Sequence, residues 1–270
     1  MNVSYLGPKG TFSEIAISTY FGDDINQIPK SSIEDVFKSV EESEVDYGVV
    51  PVENSIEGSV NNTLDLFSHS KVFITGETQL AINQCLLSKE TNTESINRVF
   101  GHTQSLAQCR HWILKNLPNV ELITVISNSE GALSIKQPGD ACVASKIVAE
   151  YYNLNILEKN IQDYINNTTR FLIIGNSVSN QSGNDKTSLL IKPPNTDDSG
   201  SLYKLLEHFV KNDINLNRIE SRPSKTKNWN YVFFIDIDGH ITDTNINKTL
   251  ETLKENNVEV KFLGSYPKST

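Results

Sequence analysis

The sequence predicts an α/β fold made of two units, and three observations carry that prediction. Over the first three-fifths of the chain, short apolar runs alternate with amphipathic stretches, the pattern of strands interleaved with helices. A polar stretch from Asn176 to Lys186 then interrupts the alternation. After it, strand and helix signals follow in the order βαββαβ, that of a ferredoxin-like plait.

The elements can be justified in order. Strands are expected at Asn2–Leu6, Tyr47–Val52, Ser95–Phe100, Leu122–Ile126, Ala141–Ala144 and Arg170–Ile174. Between them, Ile33, Val36, Phe37 and Val40 fall on one face of a helix, as do Leu106, Cys109, Ile113 and Leu117. Thr11 and Glu14 have the spacing of a capping box, so a helix should start there. The stretch Asn176–Lys186 is nearly free of apolar residues and is expected to link two domains. Beyond it, strands are expected at Thr187–Ile191, Ile214–Ser221, Tyr231–Asp238 and Val258–Leu263, with helices at Leu202–Lys211 and Ile246–Asn256.

Composition narrows the function. A net charge of −9 over 270 residues argues against nucleic acid or an anionic membrane as the main partner. No stretch approaches the roughly 18 apolar residues of a membrane span, and no basic leader with an apolar core opens the chain, so a cytoplasmic location is expected. The cysteines Cys85, Cys109 and Cys142 lack metal-like or redox spacing and read as buried free thiols. The five histidines are scattered, so no metal site is expected.

Four segments could carry chemistry. Gly7-Pro8-Lys9-Gly10-Thr11-Phe12-Ser13-Glu14 is a glycine-rich turn before a helix, which offers backbone N–H groups to an anion or simply connects two elements. Val50-Pro51-Val52-Glu53-Asn54-Ser55-Ile56-Glu57-Gly58 puts a polar cluster at the C-terminal end of a strand, where open α/β sheets bind ligands. It also fits a plain turn and cap. In Gly101-His102-Thr103-Gln104-Ser105-Leu106-Ala107-Gln108-Cys109, Gln104 and Gln108 share a helical face, as a capped surface helix would also allow. Asn166-Asn167-Thr168-Thr169-Arg170-Phe171 places an arginine at the opening of a buried strand, where it needs a partner, either a ligand or a structural ion pair.

Together these segments resemble the prephenate dehydratase family. Its hallmarks are a GPxGTFS opening, a VPxENSxxG segment, an HPQxxxQ-type segment and a TRF motif, and all four have counterparts here in order. Gly200-Ser201-Leu202 and Glu220-Ser221-Arg222-Pro223 look like the two phenylalanine-binding motifs of the family's ACT domain. The resemblance covers essentially the whole chain. It departs at Thr103, where the family usually has proline, which bears on the loop shape around His102.

The resemblance implies a two-lobed catalytic domain similar to periplasmic binding proteins over residues 1–178, with its second lobe near residues 80–156. A linker at 179–186 and a regulatory ACT domain at 187–270 would follow. It implies conversion of prephenate to phenylpyruvate with loss of water and carbon dioxide and no cofactor. Thr169 would hydrogen-bond the leaving hydroxyl, Glu57 is a candidate proton source, and Arg170, with helix N-termini, would hold the pyruvyl carboxylate and leave the ring carboxylate in a less solvated spot. Thr11, Asn54, Ser55, Gln104, Gln108 and Phe171 would bind substrate. Gly200, Ser201, Leu202, Glu220, Ser221, Arg222 and Pro223 would bind phenylalanine, an allosteric inhibitor, in an even-numbered homo-oligomer, dimer or tetramer. Arogenate dehydratase and a non-catalytic amino-acid sensor are the alternatives.

Overall fold

A computed structural model of the chain describes residues 1–194, 199–224 and 231–269. The first lobe opens with β1 (Asn2–Leu6), α1 (Phe12–Phe21), β2 (Asn26–Lys30), α2 (Ile33–Glu41), β3 (Tyr47–Asn54), β4 (Gly58–Ser59), α3 (Asn61–His69) and β5 (Phe73–Ala81). The second lobe holds β6 (Cys85–Ser88), β7 (Arg98–His102), α4 (Thr103–Gln108), α5 (Arg110–Asn116), β8 (Glu121–Val125), α6 (Asn128–Leu133), β9 (Asp140–Ala144), α7 (Lys146–Tyr152) and β10 (Asn155–Lys159). The chain then returns through β11 (Thr168–Gly175). A third unit follows: β12 (Asp185–Lys192), α8 (Ser201–Lys211), β13 (Leu216–Pro223), β14 (Tyr231–Asp238), α9 (Thr244–Glu255) and β15 (Glu259–Pro267).

Each unit has its own sheet. The first runs β2-β1-β3-β11-β5 with β4 paired to β3, the second β10-β6-β9-β7-β8, and the third β13-β14-β12-β15. The third is antiparallel throughout, as the βαββαβ order requires. In the first sheet β1 lies parallel to β2 and β3, while β11 runs antiparallel between β3 and β5. Returning from the second lobe, β11 therefore enters the first sheet at the end where β1 and β3 finish. Among the described residues no helix is long and apolar enough to cross a membrane.

Alternation along β11 divides the core of the first lobe. Phe171 and Ile173 pack with Ala16 and Ile17 of α1 on one face. Leu172 and Ile174 join Val36, Phe37 and Val40 of α2 on the other. That second cluster also contains Leu190, Val232, Phe234, Leu263 and Tyr266 from the third unit. The two units thus share a core. At Gly264 of β15 a Cβ would lie 2.1 Å from the carbonyl oxygen of Ile74, so only glycine permits this approach of the backbones.

Several expectations are corrected here. The polar stretch does run between β11 and β12, but it ends before Asp185, where β12 begins, and it is packed: Ser179 donates to the Thr75 carbonyl at 2.7 Å, and Lys186 Nζ lies 2.6 Å from Glu77. Asp185 is buried, accepting from the Ser182 hydroxyl and the Gly183 N–H. The single helix expected from Leu106 to Leu117 is broken at Cys109 into α4 and α5, although all four apolar residues still reach one core cluster. The capping box is not made, because the Thr11 side chain leaves the helix uncapped and Glu14 takes the N–H one residue before the N-cap. Glu14 reaches back to the Gly10 N–H, while the Thr11 hydroxyl donates to the Leu6 carbonyl at 3.1 Å.

Candidate active site

A cleft of 440 Å³ lies where β1 and β3 end, between the two lobes. Its floor is apolar, with Leu6, Phe12, Ile33 and Pro51 among its residues. Asn54, Glu57, Ser59 and Thr169 face it from the first lobe, and Gln84, Gln104, Ser105, Gln108 and Asn128 from the second. Among the described lining residues Glu57 is the one ionisable group. The lobes also touch beside the cleft. Ser129 and Ser145 donate to the carbonyls of Lys9 and Gly10 at 2.5 and 3.0 Å. Gly10, at φ 87°, fits because a Cβ there would press to 2.8 Å from both Ser129 and Val148.

Asn54, at the end of β3, organises the first-lobe wall. Its Oδ1 accepts the N–H groups of Ile56 and Glu57, each at 3.0 Å, so its amide nitrogen must face the other way. Nδ2 then donates to Thr169 Oγ1 at 2.8 Å. One lone pair of the Thr169 hydroxyl is occupied by this bond, which leaves its proton for a ligand in the cleft. The second lobe repeats the device. Asn128 Oδ1 accepts from the His102 N–H at 2.9 Å, which aims Nδ2 at Ser105 Oγ, 2.8 Å away. The Ser105 hydroxyl, which also accepts from Gln84 Nε2 at 3.4 Å, is therefore a second donor lining the cleft, from the lobe opposite that of Thr169.

Of the residues expected to bind substrate, Asn54, Glu57, Gln104, Gln108 and Thr169 come together here. Arg170 does not, and its assignment to a substrate carboxylate is corrected. Neighbours on a strand point to opposite faces. Its guanidinium instead meets Glu77 and Asp236, each at 2.6 Å, and Tyr266 Oη at 3.0 Å. Burial opposes its charge, but Asp236, Tyr266 and Glu77 outweigh that and hold its pKa above the ordinary value. Phe171 is also displaced from the site, being 2% exposed in the core against α1. Ser55 spends its hydroxyl on the returning chain, donating to the Asn166 carbonyl and accepting from the Thr168 N–H. Thr11 is likewise committed to the Leu6 carbonyl.

Gln84, Ser105, Asn128 and Ser59 are cleft residues that sequence reasoning passed over. Ser105 lay inside a recognised segment, but nothing marked its side chain as inward. The other three had no local signal. The three thiols are buried as expected, and burial raises the pKa of each.

The residues expected to hold an effector occupy two places in the third unit. Gly200, in the left-handed conformation, precedes α8, whose first residues are Ser201 and Leu202. Ser201 borders a 190 Å³ hollow shared with Lys204 and His208. Glu220, Ser221, Arg222 and Pro223 lie on β13. From there Glu220 accepts from Ser59 at 2.8 Å and Arg222 pairs with Asp65 of α3 at 3.1 Å. Two of the four thus already contact the catalytic lobe, one of them at the cleft wall.

Known proteins place this arrangement. Residues 3–179, the two lobes with β11, match the family described as prephenate dehydratase. A bifunctional chorismate mutase/prephenate dehydratase of Aquifex aeolicus is 47% identical over 100% of this chain and 74% of its own length. A prephenate dehydratase of Methanocaldococcus jannaschii is 38% identical over 98% of this chain and 97% of its own. Among solved structures, a prephenate dehydratase from Arthrobacter aurescens in complex with L-Phe superposes with a TM-score of 0.90 at 32% identity, covering 99% of this chain and 90% of that one. With a cleft built from the same segments that carried the sequence resemblance, the chain belongs to the prephenate dehydratase family.

Proposed function

We propose that the chain converts prephenate to phenylpyruvate, acting as a decarboxylating carbon–oxygen lyase. The observation that carries this is the Thr169 hydroxyl, held by Asn54 with its proton free to meet a leaving oxygen. In the reaction the ring carbon–oxygen bond and the bond to the ring carboxylate both break. The electron pair of the carboxylate bond enters the ring, carbon dioxide leaves, and the hydroxyl departs as water after taking a proton. Aromatisation supplies the driving force, so the protein must orient the substrate and assist departure of the hydroxyl. A threonine is too weak an acid to part with its proton outright. Thr169 relays a proton from cleft water or Glu57 and stabilises the charge growing on oxygen.

The lining also suits a dianion in an unexpected way. With Arg170 outside, neutral donors hold the carboxylates: Gln104, Gln108 and Ser105. A guanidinium on the ring carboxylate would stabilise the anion that has to decarboxylate, and this cleft avoids that cost.

The third unit is the candidate ACT domain, with phenylalanine as its effector and an even-numbered assembly as its setting. The neighbour solved with L-Phe supports the ligand, and the grip of β13 on Ser59 supplies a route to the cleft.

The test is turnover of prephenate by the purified chain, followed as phenylpyruvate, with arogenate in parallel. Thr169→Ala should lower kcat by about 10²–10⁴-fold, the span of general-acid assistance. A variant with unchanged kcat would remove Thr169 from the mechanism, and turnover of arogenate alone would reassign the substrate.

A further inference from the structure

The Thr169 donor is itself oriented by Asn54, which raises the question of what keeps Asn54 in place. The answer lies outside the cleft lining, in Asn167, which is 1% exposed just before β11. Of the two protons on Asn54 Nδ2, one goes to Thr169 Oγ1 and the other to Asn167 Oδ1 at 2.7 Å. With its oxygen so engaged, Asn167 turns Nδ2 toward Gln108 Oε1, 3.2 Å away. Gln108 in turn presents Nε2 to Glu57 Oε1 at 3.4 Å. The Glu57 backbone N–H donates to Asn54 Oδ1 and closes the ring. Every amide in the ring donates in the same sense. Reversing one would set nitrogen against nitrogen or oxygen against oxygen.

We propose that Asn167 is a positioning residue for Thr169, locking this one-way ring of amides so that the threonine proton points into the cleft. The inference rests on the reading of Thr169 as the donor to the leaving oxygen. The members come from both lobes: Asn54 and Glu57 from the first, Gln108 from α4 of the second, and Asn167 from the segment that returns between them. The ring therefore forms only at this separation of the lobes, and it couples their approach to the orientation of the donor. An alternative for the freed Asn54 proton is already in place, because Nδ2 lies 3.3 Å from the Thr168 carbonyl. Without Asn167 the amide swings toward that carbonyl. Thr169 then loses the bond that fixes its rotor.

The test is a double-mutant cycle between Asn167 and Thr169, with kcat and KM for prephenate measured on the full chain. Asn167→Ala should lower kcat about 10²-fold, as loss of a reacting geometry does, while KM moves less than about threefold. In a Thr169→Ala background the same substitution should cost less than about threefold, because the group it positions is gone. Asn167→Asp keeps the oxygen that faces Asn54 and should retain more kcat than Asn167→Ala. If thermal melting shows that Asn167→Ala does not fold, Asn167→Ser, too short to hold the Asn54 amide, takes its place in the cycle. Equal losses with and without Thr169, or a wild-type kcat in the single variant, would overturn the proposal. A wild-type kcat in Thr169→Ala alone would overturn the underlying reading instead.

Discussion

Arg170 shows how one residue's role depends on which face of a strand it occupies. Thr169 and Arg170 are adjacent on β11, so only one of them can face the cleft. The threonine does, and the arginine enters a buried cluster with Glu77, Asp236 and Tyr266, while Lys186 neutralises Glu77 from its other side. Removing one partner of a buried ion pair costs about 3–5 kcal/mol, so Arg170→Met should lower the urea midpoint by a corresponding amount with KM for prephenate little changed. A raised KM at full stability would return Arg170 to the substrate. The pH response follows from Asp236, where burial pushes the carboxyl pKa up but Arg170 and the Ser188 hydroxyl bring it below the ordinary value. A depressed folded pKa contributes stability that is complete above the unfolded value of about 4 and is lost as pH falls through the folded value. Acid unfolding of the wild type should therefore draw on this group only below about pH 4. In Arg170→Met the burial effect prevails, and the acid transition should move upward. Period-two alternation was available from the sequence and would have separated Thr169 from Arg170. Gln84 and Asn128 were not available, because their roles arise from lobe two closing over lobe one, a contact without a local pattern.

Elements with a clean period were legible, and those shaped by distant partners were not. In α2, Ile33, Val36, Phe37 and Val40 form one buried stripe, and Ser32 caps it by accepting the Asp35 N–H at 3.0 Å. Ser32→Ala should cost about 1 kcal/mol, the usual worth of such a cap, read from a denaturant titration. A change near zero would mean that burial of the stripe alone fixes the start of α2. By contrast β5 escaped notice because Glu77 and Thr78 sit where apolar residues are expected. Both are buried, and Glu77 is satisfied by Arg170, Lys186 and the Ser269 N–H, all far away in sequence. β2 carries Pro29, tolerated because β2 is an edge strand. β13 alternates half-buried and exposed positions, but three of its four half-buried residues, Arg218, Glu220 and Arg222, are charged, because that face is spent on the first lobe. Arg218 and Glu220 both bond Ser59 of the cleft wall, and Arg218 also lies 3.2 Å from Glu53. The family motifs identified the segments that build the cleft. Only the folded chain shows that a strand of the third unit holds one of its walls.

At the scale of the whole molecule, the polar stretch suggested two domains joined by a tether, and the packing implies a different division. Leu190, Val232, Phe234, Leu263 and Tyr266 of the third unit share one cluster with α2, α3 and β11. The cores of lobe two, around Leu87 and Cys142 and around Val99 and Ile113, contain no residue of either neighbour. Cooperative units follow shared burial, because opening one side of a common core exposes the other. The first and third sheets should therefore open together and lobe two separately, although lobe two interrupts the first lobe in sequence. Native-state hydrogen exchange across a denaturant series can read this directly. Amides of β12, β14 and β15 are expected to merge with those of β3 and β11 into one opening isotherm, while β6, β7 and β9 form another. If the third sheet opened by itself at lower free energy, the buried cluster around Arg170 would be too weak to bind the units. The route from β13 to the cleft would then lack a rigid frame. If the merged isotherm is found, movement of the third sheet cannot leave β11 behind, and the strand that carries Thr169 on one face carries the position of the third unit on the other.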